Sequence, residues 1–286
     1  MGVDRRAPPR KIQLSEQDLE LLGFLAEHRL ALPEHAAALL GVQPTTARAR
    51  LSRLVEVDCV RFKPVFHKQP PMYLITRAGL NLVGSSLPPP RLDLRVYEHD
   101  VGVAWLWLAA RAGIFGPVRQ VIAERRLRSH DAGRDSDPHR AEPLGIRLGG
   151  VGPRGQERLH YPDLLLHTAD GRRIALELEL SAKGRRLEAI LSGYAADPRV
   201  DGVVYLVESE SVARAVRDTA RRTGVSSLIH LQRVRLTGRR PGAARAPVAD
   251  RTAPGRRATA ADRTRRAPDR TQPGRDRPVP TAEAAR

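Results

Sequence analysis

With 286 residues and a formal charge of +17, the chain is long enough for about two domains and is charged to meet a polyanion, nucleic acid before a membrane surface. A single cysteine, Cys59, excludes an internal disulfide and a cysteine-rich zinc site. No run approaches the ~18 apolar residues of a membrane span, and the opening MGVDRRAPPRK leads into no secretory apolar core, so no membrane partner and a cytoplasmic location are expected.

Residues 1–13 read as a flexible N-terminus. The stretch LSEQDLELLGFLAEH (14–28) opens on a Ser15 cap and repeats Leu19, Leu22 and Leu25 or Ala26 on one stripe, which predicts a helix. A short helix follows at 33–40, closed by Gly41, and QPTTARARLSRLVEV (43–57) predicts a third with Ala47, Leu51, Leu54 and Val55 inward. At about 100° per residue this turns Thr45, Ala49, Ser52 and Arg53 outward, with Thr46 and Arg48 on the flanks. CVRFKPVFH and PMYLITRAG then alternate like two strands around a proline-rich connection. Three helices and a basic ribbon make a winged helix-turn-helix over 14–84, in which the third helix enters the major groove of double-stranded DNA. Arg61, Lys63 and Lys68 on the wing lie along phosphates. The same fold also serves protein contact and dimerisation, so it is the exposed arginines that favour DNA.

GSSLPPP (84–90) has the composition of a boundary, and 91–237 reads as a second, mixed α/β domain. It begins with an apolar helix at 97–113 whose first turn holds Glu98, His99 and Asp100, then a strand over PVRQVIAERRLRS carrying Glu124. Residues 129–158, rich in Gly, Pro, Asp and Arg, read as a long insertion or mobile loop. A hairpin at 161–183, a helix at 183–196, the buried strand GVVYLVES, a helix at 209–223 and the strand LIHLQRVRL complete the order. Trp105, Trp107 and Tyr194 read as core, and His160 and His167 as surface histidines without zinc spacing. Charge is uneven: +4 over 1–84, +5 over 85–238 and +8 over 239–286. This Arg/Pro/Ala-rich tail holds only Val248 and Val279 among branched aliphatic, methionine and aromatic residues, so 238–286 is expected to be disordered, serving as a cationic arm on DNA or as a solubilising tail.

The hairpin YPDLLLHTADGRRIALELELSAK sets a problem of register, because three carboxylates sit among apolar residues. A two-residue loop, Asp170-Gly171, pairs Asp163 with Leu178 and mixes charge with hydrocarbon on both faces. A three-residue loop, Ala169-Asp170-Gly171, with Gly171 left-handed, pairs residues whose numbers sum to 340. Leu164, Leu166, Ile174, Leu176 and Leu178 then share one face, and Asp163 lies opposite Glu177 with Glu179 next along the strand. Opposed like charges cost stability, and a hard divalent cation, Mg²⁺ or Mn²⁺, is the compensation such oxygens suit.

Pro162-Asp163 followed across a hairpin by Glu177-x-Glu179, in the order helix, three strands, helix, strand, resembles the PD-(D/E)xK nuclease fold. The resemblance matches Asp163 to the acid of the PD pair and Glu177 to the acid of (D/E)xK. Glu179 stands where the usual lysine belongs, and Lys183, one of only four lysines in the chain, lies four residues further on. It implies that Asp163, Glu177 and Glu179 hold a metal that activates a water for attack on phosphorus, with Lys183 stabilising the phosphate charge. Glu98 or Asp100 corresponds to the acid that some members carry on their first helix. The wider layout, a winged helix, HD in a helix, AERRLR, PDLLL and ALELELSAKGRRLEAILSGY, resembles the replication-relaxation family over 14–236. That implies a DNA-binding protein of a plasmid or conjugative element, acting in replication or in relaxation and transfer (conjugation) with plasmid replication or transfer proteins, and carrying a nuclease-like domain. Two readings stay open. One is a metal-dependent endonuclease that nicks or cleaves DNA. The other is a non-enzymatic DNA-binding factor or winged-helix transcriptional regulator, whose acids pair with Arg172, Arg173, Arg185 or Arg186.

Overall fold

The structure, a computed structural model, describes residues 13–67, 69–132, 142–153, 155–181, 184–237 and 245–249. Lys68, Lys183, the side chain of Arg185 and most of the tail expectation lie outside the described residues.

The chain opens with α1 (Glu16–Glu27), α2 (Pro33–Leu40) and α3 (Pro44–Glu56), then the hairpin β1 (Val60–Lys63) and β2 (Met72–Ile75) and the short α4 (Arg77–Leu82). Helix α1 is started by a reciprocal cap: the Ser15 side chain accepts from the Asp18 backbone N–H while Asp18 accepts from Ser15. Helices α2 and α3 each begin with proline, which lacks the N–H that a first turn leaves unpaired. Ala47, Leu51 and Leu54 of α3 are buried, as the periodicity predicts, whereas Leu19 of α1 is exposed and Leu21 takes the inward place instead. Strand β2 also pairs through Tyr73 with Ala31, a single-residue bridge between α1 and α2 too short to leave a sequence pattern.

A 3₁₀ turn (Leu94–Val96) leads into α5 (Tyr97–Arg111), followed by β3 (Val118–Ala123) and α6 (Glu124–Ala132). The predicted strand over 117–129 is therefore strand only to Ala123. The stretch expected as an insertion or loop carries the end of α6 and a small hairpin, β4 (Ile146–Val151) with β5 (Glu157–His160). The remaining elements are β6 (Leu164–Thr168), β7 (Arg173–Glu179), α7 (Arg185–Ala196), β8 (Gly202–Val207), α8 (Glu210–Arg222), β9 (Ile229–Thr237) and β10 (Arg245–Ala249). The last of these differs from the disordered tail expected there, since it covers the edge of β9 by antiparallel pairing.

Six strands form one mixed sheet in the order β10-β9-β8-β7-β6-β3. β3, β6 and β7 are antiparallel neighbours, and β7, β8 and β9 are parallel. Leu164 pairs with Leu176, Leu165 with Ala175 and Leu166 with Ile174, the pairing that sums to 340. The connecting turn is Ala169-Asp170-Gly171, closed by the Thr168 N–H on the Arg172 carbonyl, and Gly171 has φ 90°, a conformation that a Cβ would strain. One face of the sheet buries Leu164, Leu166, Leu176, Leu178 and Leu206 against α5 and the first three helices. The other buries Ala175, Val203 and Tyr205 against α7 and α8. Gly102 lets α5 approach the sheet, because a Cβ there would lie 2.5 Å from Leu178 Cδ2.

The three-helix region does not float free of the sheet. Phe24 and His28 pack on Trp107 at ring separations of 5.3 and 5.6 Å, and His35 packs on Trp105 at 4.5 Å, so α5 lies between α1–α2 and the strands. Arg125 of α6 donates to the carbonyls of Ala26, His28 (3.1 Å) and Pro88, stopping the open C-terminal end of α1 with a cation. The segment expected as a domain boundary is likewise held: Leu87 is buried and its carbonyl accepts from Arg77 at 3.0 Å.

Asp18 is fully buried and ties α1 to α3 through Arg50, at 2.7 Å, and Arg53. Burial alone would raise its pKa, but the Ser15 and Arg50 hydrogen bonds and the Arg53 charge hold it below the ordinary 3.8. A depressed carboxylate contributes stability that is complete above its unfolded pKa and is lost as pH falls through the folded value. Asp18→Asn is therefore expected to cost about 1.5–3 kcal/mol at neutral pH. In urea melts, the gap between wild type and variant should close as pH drops below 3.8; a gap that stays constant to pH 2.5 would contradict the ion-pair account.

Candidate functional site

Two surfaces carry the residues singled out by sequence. On the first, Thr45, Thr46, Arg48, Ala49 and Ser52 of α3 are exposed, and so are Arg61 and Lys63 of β1. Phe62, 44% exposed, stands beside Tyr73 at 5.6 Å on the same hairpin. Burial raises the Tyr73 phenol, offset in part by the Arg48 charge and a hydrogen bond with Ser52, which joins α3 to the hairpin. Arg53 is exposed too, but its guanidinium is spent on Asp18, so it positions α1 against α3 rather than standing ready for a phosphate.

The second surface is the end of the sheet at Asp163, Glu177 and Glu179, all buried. Alternation puts Glu177 on the α7 face, where His160 Nε2 lies 2.6 Å from its Oε1 and the Tyr194 hydroxyl donates to the same oxygen. Burial, and then the Glu177 charge, push the Tyr194 phenol well above its ordinary value, so it remains a donor. His160 is thus a buried partner and not the surface histidine expected. Asp163 immediately precedes β6 and escapes the alternation. Its Oδ2 accepts from the Leu178 N–H at 2.8 Å and lies 3.2 Å from His99 Nε2 of α5.

The strand-end acids are shared between two helices, α5 engaging Asp163 and α7 engaging Glu177, while the charges of Asp163, Glu177 and Glu179 all act on the buried Tyr205 phenol. Among the described residues no group of three or more His, Cys, Asp or Glu side chains is arranged to hold a metal ion. Of the alternative partners expected for these acids, Arg172 bonds Asp170 and the Arg185 side chain lies outside the described residues; among the described groups, imidazoles, a phenol and a backbone N–H bond Asp163 and Glu177.

The structure also assembles a polar junction that sequence reading missed. Glu27, His28, Arg29, His99, Asp100, Glu124, Arg125 and Asp163 line one cavity between the first helices and the sheet. Arg29 bridges Asp100 at 3.0 Å and Glu124 at 2.6 Å. These partners lie 71 and 95 residues apart in sequence, a separation no local pattern reports. Burial disfavours a charged His99, but Asp163 and Asp100 outweigh it and push its pKa up to about 10. The available signal was the pair His99-Asp100 at the start of an otherwise apolar helix.

No protein-family model matches the chain, and no curated protein matches it. Similar solved structures include RV1404 from Mycobacterium tuberculosis, at 18% identity and a TM-score of 0.24 over 45% of this chain and 77% of that chain. PigF with SAH is another, at 10% identity and a TM-score of 0.19 over 78% of this chain and 63% of that chain. Likenesses at these scores carry no argument about fold or activity. Among the described residues no helix is long and apolar enough to cross a membrane.

His99 with a raised pKa stabilises the fold fully below its ordinary 6.5, and that contribution is lost as pH rises through about 10. In the wild type its ring protons should therefore titrate near 10 by NMR, and in Asp163→Asn well below that. Titration near 6.5 in both proteins would show that the His99–Asp163 pair does not form.

Proposed function

We propose that the protein binds double-stranded DNA through α3 and the β1–β2 hairpin, used as a winged helix-turn-helix, and that the sheet is a nuclease-like scaffold rather than a cutting site. The observation that carries the reading is the sorting of α3. Ala47, Leu51 and Leu54 are buried while Thr45, Thr46, Arg48 and Ser52 are exposed, beside a hairpin that exposes Arg61 and Lys63. Small polar side chains let a helix enter the major groove closely, and cations at its flank meet phosphates. The net charge of +17 supports the same partner. A role in plasmid or conjugative-element replication or transfer is supported by the sequence resemblance alone.

A second reading, a metal-dependent endonuclease, is favoured by one observation: Asp163 and Glu177 sit at the same end of neighbouring antiparallel strands. Against it stand the His160 and Tyr194 bonds to Glu177. Nicking of supercoiled DNA with Mg²⁺, abolished in Asp163→Ala, would establish this reading in place of the scaffold.

The binding test is fluorescence anisotropy on a duplex across salt concentrations. Each lost phosphate contact lowers the slope of log affinity against log salt by about 1, so Arg48→Ala/Arg61→Ala/Lys63→Ala should lower it by about 3 if all three contact phosphate. Arg53→Ala should instead lower thermal stability, through loss of its Asp18 partner. A triple variant that binds as tightly as wild type at every salt concentration would overturn the reading.

A further inference from the structure

At the other end of β6 from Asp163, an open cleft along the sheet edge is lined by Arg119, Gln120, His167, Thr168, Gly171 and Arg173. The register makes this a built arrangement. Gln120 pairs with His167 between β3 and β6, and His167 with Arg173 between β6 and β7, so the three occupy one cross-strand row. The ladder slips between Val118 and Gln120, which places the exposed Arg119 at the irregularity.

Two nitrogens in the row are anomalous. His167 Nε2 and Arg173 Nε are both buried and have no hydrogen-bond partner. Buried polar atoms are normally paired, and neither of these two on facing residues has a partner among the described residues. The nearby acids hold other hydrogen bonds, Asp170 with Thr168 and Arg172, Asp201 with the Arg173 backbone N–H and Asp197 with Arg199, and Asp197 also feels the Arg173 charge. An acceptor from outside the chain would serve both nitrogens. It must carry several oxygens and negative charge to satisfy an imidazole and two guanidinium groups together, which describes a phosphate. Burial and then the Arg173 charge hold His167 below its ordinary pKa, and a bound anion would relieve the second effect.

We propose that this cleft binds a phosphate of the DNA backbone, giving the protein a second nucleic-acid contact separate from α3 and the hairpin. The proposal rests on the DNA-binding reading above. The open edge and the exposed Arg119 suit a polymer running past the sheet rather than a small anion enclosed by it.

The test uses the full chain with Arg119→Glu/Arg173→Gln, measuring thermal unfolding, duplex affinity across salt, and the His167 ring signals by NMR. The expected result is an unchanged melt, about tenfold weaker duplex binding and a salt slope lower by about 2. The same loss should appear in the Arg48→Ala/Arg61→Ala/Lys63→Ala background, since independent contacts add. Duplex should shift the His167 signals and raise its pKa in the wild type. If the double variant unfolds, Arg119→Glu alone, at an exposed position, carries the comparison with a slope loss of about 1. Wild-type affinity and slope in the cleft variants, with binding lost in the α3–hairpin variant, overturns the cleft and leaves the DNA reading intact. A wild type that binds no duplex overturns both. A His167 response to inorganic phosphate but none to duplex assigns the cleft to the free anion and overturns its role on DNA.

Discussion

Side chains alternate across a strand, so the pairing of Leu164 with Leu176 commits every other position of β6 and β7 to a face. Slipping β7 by one residue would carry Ile174, Leu176 and Leu178 off the α5 face and bring Glu177 and Glu179 onto it. The carboxylates are carried along by that choice. Glu177 is placed where α7 packs, and the chain accommodates it with His160 and Tyr194 rather than by exposing it. Asp163, one residue outside the ladder, is free of the constraint and is captured by α5 and the Leu178 N–H. Hydrophobic burial thus fixes the register, and the polar networks fill the places it leaves.

The same logic extends to the first three helices. Their core is continuous with the α5 face of the sheet, and Arg29, Arg125 and Arg126 bind them to acids and carbonyls across the junction. A buried carbonyl or carboxylate deprived of such a partner costs about 1–3 kcal/mol, so the arginines specify how the two regions meet as well as adding stability. The exposed face of α3 is consequently carried on a body held by the sheet, which is the rigidity the proposed role in the major groove needs.

Much of this order was legible in the chain. The limits of α1, α2, α3, α5, α7, α8, β8 and β9 follow from periodicity and caps, and the hairpin pairing follows from segregating leucines from acids. Three things were not. The strand over 117–129 hides a change to helix after Ala123, where the apolar alternation simply stops. The Gly-rich stretch reads as loop although Ile146 is buried and β4 pairs with β5. The partners of Asp163, Glu177 and Arg29 lie from 15 to 95 residues away, and only the fold says which of many polar residues meet. Arg53 shows the same limit: the helical wheel correctly exposes it, but cannot report that Asp18 of another helix claims its charge.

The central claim is that DNA is met by α3 and the hairpin while the strand-end acids remain internal. Hydrogen–deuterium exchange of the full chain with and without a duplex tests it most directly. The account predicts new protection across 44–56 and 60–75, with the Asp163 end of β6 and the Glu177–Glu179 end of β7 unchanged. Protection confined to 163–179, with α3 and the hairpin exchanging as in the free protein, would contradict it.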